Sequence, residues 1–145
     1  MFHKRKFTPI NPRKYKGDYS NIIMRSSWET RFAIWCDRNP SIVSWNSEET
    51  IVPYVCPTDG RVHRYFIDFR IEVKTKDNTI KTYLVEIKPF KQTLPPEKPS
   101  RATRRYLTEA ATYVKNQAKW EAANRYARDR GWEFIVLTEK QLGLG

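Results

Sequence analysis

Arg64-Tyr65-Phe66-Ile67-Asp68-Phe69-Arg70-Ile71-Glu72-Val73 is followed, after a short polar break, by Thr82-Tyr83-Leu84-Val85-Glu86-Ile87-Lys88. In the first run every odd position from Tyr65 to Val73 is apolar, and most even positions are polar. The odd positions Tyr83, Val85 and Ile87 continue the same face in the second. Alternation with period two is the mark of a strand with one buried face, and Lys76-Asp77-Asn78 supplies a polar turn. The stretch therefore predicts a β-hairpin. Its loop length sets the register. A three-residue loop pairs Thr75 with Thr79, makes paired numbers sum to 154, and sets Asp68 opposite Glu86. A two-residue loop sends Glu86 to the other face.

Working outward, Ser26-Ser27-Trp28-Glu29 opens a helix in which Trp28, Phe32, Trp35 and Cys36 form one apolar stripe, closed by Asn39-Pro40. Trp28 and Trp35 read as core residues. Short strands are expected at 42–46 and 51–56, with Pro53 pushing the second towards an edge. A Pro-rich loop at 94–99 precedes a helical region from Ser100 to about Arg130, divided near Asn116. Gly131 ends it, 132–137 reads as a buried strand, and Thr138-Glu139-Lys140-Gln141 as a last helical turn. The order α-β-β-β-β-α-α-β predicts an α/β fold, a mixed sheet flanked by helices. Residues 26–145 read as a single domain, preceded at 1–25 by an extended basic arm or irregular start.

The chain carries 27 Lys and Arg against 16 Asp and Glu, a net charge of +11. The excess is localised, with a balance of +6 in residues 1–25 and +5 in 87–105, while the intervening 26–86 sum to −1. Localised positive charge beside Pro and aromatic residues fits a polyanion partner, because each neutralised phosphate releases condensed counterions. The 39% hydrophobic content argues against a disordered tail. No apolar run approaches a membrane span, and the N-terminus lacks a secretory apolar segment, so no membrane partner is expected. Cys36 and Cys56 read as buried thiols; with His3 and His63 well separated, no Cys–His zinc site is expected.

Chemistry concentrates on the hairpin. Glu86 and Lys88 share a face by period two, and Asp68 joins them in the 154 register. Facing carboxylates repel unless a cation lies between them, and a divalent ion such as Mg²⁺ takes carboxylates while keeping room for phosphate oxygens. Lys88 is placed to assist a water or to neutralise developing charge, and Glu29 offers a third acid from the first helix. Each residue also has a structural reading. Ser26-Ser27-Trp28-Glu29 is equally a capping box, and periodicity alone makes Asp68 and Glu86 solvent-face residues paired with Arg70 or Lys88. Glu48-Glu49 reads as a sheet turn or as support for a metal, and His63 as a surface or DNA contact.

The order Glu29, Asp68, Glu86-Ile87-Lys88 resembles the PD-(D/E)xK nuclease superfamily, although Ile67 stands where that label has Pro. Arg25-Ser26-Ser27-Trp28-Glu29, Arg64-Tyr65-Phe66-Ile67-Asp68-Phe69, Val85-Glu86-Ile87-Lys88-Pro89 and Gly131-Trp132-Glu133-Phe134 resemble the head completion nucleases of T-even-like tailed phages. The C-terminal ending is similar to TnsA-type transposase endonucleases. The resemblance implies a restriction-endonuclease-like fold and a Mg²⁺-dependent endonuclease, with Mn²⁺ as a substitute, acting on double-stranded DNA. It implies catalytic Glu29, Asp68, Glu86 and Lys88, and a metal held by Asp68, Glu86 and the Ile87 main-chain carbonyl, with Glu29 in support. Lys14, Lys16, Arg25, Lys91, Arg101, Arg104 and Arg105 are the expected DNA contacts. Phage head or neck proteins are the implied partners, and the host cytoplasm and the virion the implied locations. The competing readings are a non-catalytic DNA-binding head or neck protein and a resolvase of branched DNA.

Overall fold

The computed structural model describes residues 4–143; His3 and the outermost residues of both expected ranges lie outside it. The hairpin forms between β6 (Phe69–Lys74) and β7 (Ile80–Ile87). Asn78 at φ 71° closes a three-residue loop, and every pair from Phe69↔Val85 to Lys74↔Ile80 sums to 154. β3 (Ile42–Ser47) flanks β6 antiparallel, and β8 (Glu133–Leu137) flanks β7 in parallel, giving the mixed order β3-β6-β7-β8.

The long alternating run is not one strand. It breaks at Ile67–Asp68, where β5 (Val62–Phe66) ends and β6 begins; β5 pairs instead with β4 (Ile51–Val55) in a separate hairpin. Alternation persists across the break because Tyr65 and Ile67 are buried against a different core from Phe69 and Ile71.

Helices cover both sheet faces. α1 (Ser27–Arg38) packs Phe32, Ala33 and Cys36 on the face of Trp45, Phe69, Ile71, Val85 and Ile87. α2 (Arg104–Asp129) packs Ala123 and Ala127 with Leu84, Tyr65, Ile67 and the β4–β5 hairpin. The even positions Leu84 and Glu86 thus face α2 rather than solvent, while Lys74 and Ile80 at the turn end stay exposed. α2 is one unbroken helix, capped by Thr103 rather than Ser100, and α3 (Glu139–Leu142) carries a capping box at Thr138. Asn116 causes no break; it is buried against the sheet side of α2. Trp35, expected in the core, is 47% exposed and stacks on Phe32, and β8 is half-buried. Both cysteines are free and buried. No helix among the described residues is long and apolar enough to cross a membrane.

The N-terminal segment is packed where an extended arm was expected. β1 (Arg5–Phe7) pairs with β2 (Ile22–Met24), and Tyr15, Ile22 and Met24 enter the α1-side core. Asp37, itself buried, accepts from the main-chain amides of Ile10 (2.7 Å) and Asn11 (3.0 Å) and fastens the segment to the end of α1. Hydrophobic composition therefore outweighs charge here: three buried side chains hold the segment down despite seven basic residues. Met24→Ala should cost about 2–5 kcal/mol in denaturant unfolding, whereas Ile10→Ala, at a side chain 64% exposed, should stay within about 0.5 kcal/mol of wild type.

Candidate active site

Asp68 sits on the bend between β5 and β6. Its Oδ2 accepts from the Ile87 main-chain amide at 2.9 Å, tying the bend to the end of β7. Within an extended strand the N–H and C=O of one residue point to the same side, so the Ile87 carbonyl is directed to the Asp68 side as well. Lys88 turns the other way, its amide donating to Leu137 at 3.0 Å. The bend is held from behind by Glu48, at φ 56°, whose amide donates to the carbonyls of Ile67 (3.1 Å) and Asp68 (3.3 Å).

Glu86 is 6% exposed on the α2 side of β7. Its carboxylate accepts from the Tyr65 hydroxyl and lies 3.5 Å from Lys88 Nζ. Glu29, in the first turn of α1, serves two purposes at once. Its amide donates to the Ser26 cap at 3.2 Å, while its carboxylate accepts from the Ser26 hydroxyl (3.3 Å) and the Arg25 amide (3.4 Å). The side chain reaches the amide one residue before the cap, a variant of the capping box.

Burial first, then the charges of Glu86 and Glu29, push the Asp68 carboxyl well above its ordinary 3.8; the bond from Ile87 opposes them. Burial also raises Glu29, with the Glu48 and Glu86 charges adding and the Arg25 amide opposing. The like charge that helps raise Asp68 and Glu29 is of the kind a hard divalent cation relieves, and such a cation prefers oxygen donors. Asp68, Glu86 and the Ile87 carbonyl would be the oxygens available to such an ion; Asp68 and Glu86 line the same cavity, and Glu29 does not.

A family model described as TnsA-like endonuclease N terminal matches residues 39–139. The head completion nuclease of Enterobacteria phage T4 is 40% identical over 146 residues, covering 98% of this chain and 95% of that protein. The chain belongs to the TnsA-like endonuclease family. No solved structure matches it.

The matched region of this TnsA-like endonuclease contains Asp68, Glu86 and Lys88 and starts after Glu29, which the likeness to the phage T4 protein covers. The three line an open cavity of about 260 Å³ together with Arg64, Tyr65, Phe66, Asn116, Lys119 and Trp120. These further residues come from β5 and α2, and no sequence pattern near the Glu86-Ile87-Lys88 triplet pointed to them. Only the buried alternation of Tyr65 with Ile67 hinted that β5 turned inward.

The expected phosphate contacts divide into two groups. Lys14 Nζ donates to the carbonyls of Asp37 (3.0 Å) and Asn39 (2.8 Å) at the C-terminal end of α1, where the helix dipole favours a cation. Its ammonium is held in the fold rather than offered to a ligand. Arg25 Nε pairs with both oxygens of Glu48 at 3.0 and 3.2 Å, and Lys16 lies 3.8 Å from Glu72. Lys91, Arg101, Arg104 and Arg105 are exposed, Arg105 in an ion pair with Glu109. Glu49 accepts from the Tyr15 hydroxyl at 3.2 Å. Cys56 and His63, from which no Cys–His zinc site was expected, lie close together: with Asp59 their ligand atoms lie within 4.8 Å of one another at the tip of the β4–β5 hairpin. There His63 Nε2 is 2.7 Å from Asp59, and Cys56 Sγ 3.1 Å from Thr58.

A carboxyl whose folded pKa is raised stabilises the fold at low pH and loses that contribution as pH rises through the folded value. In chelator, the protein should lose stability as pH climbs from the ordinary Asp range. Asp68→Asn keeps an acceptor for Ile87 and should flatten that loss, raising the pH 7 melting temperature by about 3 °C or more. A melting temperature lowered by Asp68→Asn under chelator would contradict the repulsion among the acids.

Proposed function

We propose that this protein is a Mg²⁺-dependent endonuclease that hydrolyses phosphodiester bonds in double-stranded DNA, acting on packaged DNA ends while a phage head is completed. The observation carrying this reading is the convergence of Asp68, Glu86 and Lys88 in one polar cavity of a TnsA-like endonuclease, with the Glu29 charge acting on Asp68 from the start of α1. The named activity of the phage T4 relative supports the place in assembly.

Asp68, Glu86 and the Ile87 carbonyl would hold a divalent ion, which would supply Lewis-acid stabilisation of charge on the phosphodiester. Tyr65 fixes the Glu86 carboxylate through its hydroxyl, so this side chain is oriented before substrate arrives. Lys88 Nζ, 3.5 Å from Glu86, holds a water at hydrogen-bond reach and neutralises negative charge that grows on the phosphate oxygens. Asp68 stays aligned through the Ile87 amide. Glu29 buttresses the pair from the start of α1. The exposed cations Lys91, Arg101 and Arg104 of the loop leaving Lys88, with the first turn of α2, hold flanking phosphates.

Purified protein with Mg²⁺ should nick or cut duplex DNA, and Mn²⁺ should substitute. Lys88→Ala should slow cleavage about 10²–10⁴-fold, and Asp68→Ala should abolish detectable cutting, both with the wild-type circular dichroism spectrum. Undiminished cutting by either folded variant would reject the assignment. No cutting by wild type with any divalent ion, together with normal head assembly by Asp68→Asn, would favour a non-catalytic DNA-binding role.

A further inference from the structure

Among the described residues, two cations that line this cavity with the acids have no carboxylate partner. Lys119 Nζ lies over the rings of Tyr65 (5.5 Å) and Tyr54 (5.9 Å), and the Arg64 guanidinium lies 5.6 Å over Phe66. Among the described residues neither side chain forms a salt bridge, whereas Lys88, in the same cavity, is 3.5 Å from Glu86. Asn116, one turn before Lys119 on the same helix face, is 5% exposed and lines the same space.

This arrangement has a cause in the packing. α2 lies close on the sheet because Ala123 and Ala127, both fully buried, let the backbones approach. The next positions toward the N-terminus on that side, Asn116 and Lys119, are then carried to the rim of the acidic site. A lysine there would ordinarily pair with an acid. Lys119 Nζ instead lies over the rings of Tyr54 and Tyr65, its ammonium protons without an oxygen acceptor among the described residues. A cation over a ring at a partly exposed site is worth about 0.5–1 kcal/mol. A charge-assisted bond to a phosphate oxygen is stronger, so such a cation is ready to be taken up by an anion.

We propose that Lys119, Arg64 and Asn116 form a second phosphate subsite, gripping a backbone phosphate of the substrate strand beside the one that meets Asp68 and Glu86. The proposal rests on the nuclease reading above and deepens it. Tyr65 links the two places: its ring carries Lys119, and its hydroxyl holds Glu86. A strand phosphate captured by Lys119 sets the distance of the next phosphodiester from the acids. This positions the bond without touching its chemistry.

The test is binding in chelator, where no cutting occurs. Affinity for a fluorescent 20-base-pair duplex is followed by anisotropy over a range of salt for wild type, Lys119→Gln, Lys119→Arg and Arg64→Gln. Each loss of one phosphate contact should reduce the slope of log K against log salt by about 0.9. Lys119→Gln and Arg64→Gln should each show that reduction, and Lys119→Arg should retain the wild-type slope. In Mg²⁺, Lys119→Gln should raise KM more than it lowers kcat. A Lys119 that only packs predicts a lower melting temperature with an unchanged slope, and that result overturns the subsite. If Lys119→Gln does not fold, Arg64→Gln at its exposed position decides alone, an unchanged slope again being the overturning result. Wild type that cuts while both slopes stay unchanged removes the subsite and leaves the nuclease reading standing. Reduced slopes in both variants of a protein whose wild type never cuts would do the reverse.

Discussion

The Ile87 amide donates to Asp68 Oδ2, and through that bond the bend at the end of one hairpin is locked to the strand that carries Glu86. Asp68 lies outside regular strand, so β6–β7 pairing alone does not fix its carboxylate. The bend has a second support in Glu48, whose left-handed backbone places one amide between two carbonyls. A carboxylate brought this close to two others is destabilised by burial and by like charge. Bonds from amides and from a tyrosine hydroxyl offset part of that penalty. The cluster persists because the surrounding fold over-determines it.

Coverage of both sheet faces supplies the other components. α1 closes the face of Phe69 and Val85, and its first turn places Glu29 at the same end of the sheet as Asp68. α2 closes the opposite face and delivers Asn116 and Lys119. The β4–β5 hairpin departs from the main sheet at the Asp68 bend and turns Arg64, Tyr65 and Phe66 toward the cavity. Strand, hairpin and helix therefore meet at one point because the long alternating run breaks there.

The positive excess performs two kinds of work. In the N-terminal segment Lys14 caps the end of α1, and Arg25 and Lys16 answer Glu48 and Glu72. Those charges stabilise or orient the fold. In the loop after Lys88 and the first turn of α2, basic side chains remain exposed. Counting charge along the chain locates both groups but cannot separate them, since the difference lies in which acids and carbonyls fold against each.

The sequence by itself determined the mixed α/β class, the 69–87 hairpin with its register, and the approximate bounds of most strands and α1; that register stops at Phe69↔Val85, so Asp68 sits in a bend and not in a strand pair with Glu86. Those features follow from local rules: period-two alternation, a three-residue loop closed by Asn78, and caps at Ser26 and Thr138. The capping role of first-turn Glu29 was legible, and its carboxylate accepts from the Ser26 hydroxyl and the Arg25 amide. Tertiary structure alone decided the rest. The Tyr65–Val73 run splits because its two halves bury side chains against different cores, which alternation cannot reveal. The N-terminal segment packs because Tyr15, Ile22 and Met24 find a cavity made by distant residues. Lys119 and Asn116 join the acids because Ala123 and Ala127 let α2 approach the sheet. Period and capping are read along the chain, whereas proximity depends on which faces meet, and that is a property of the packed whole.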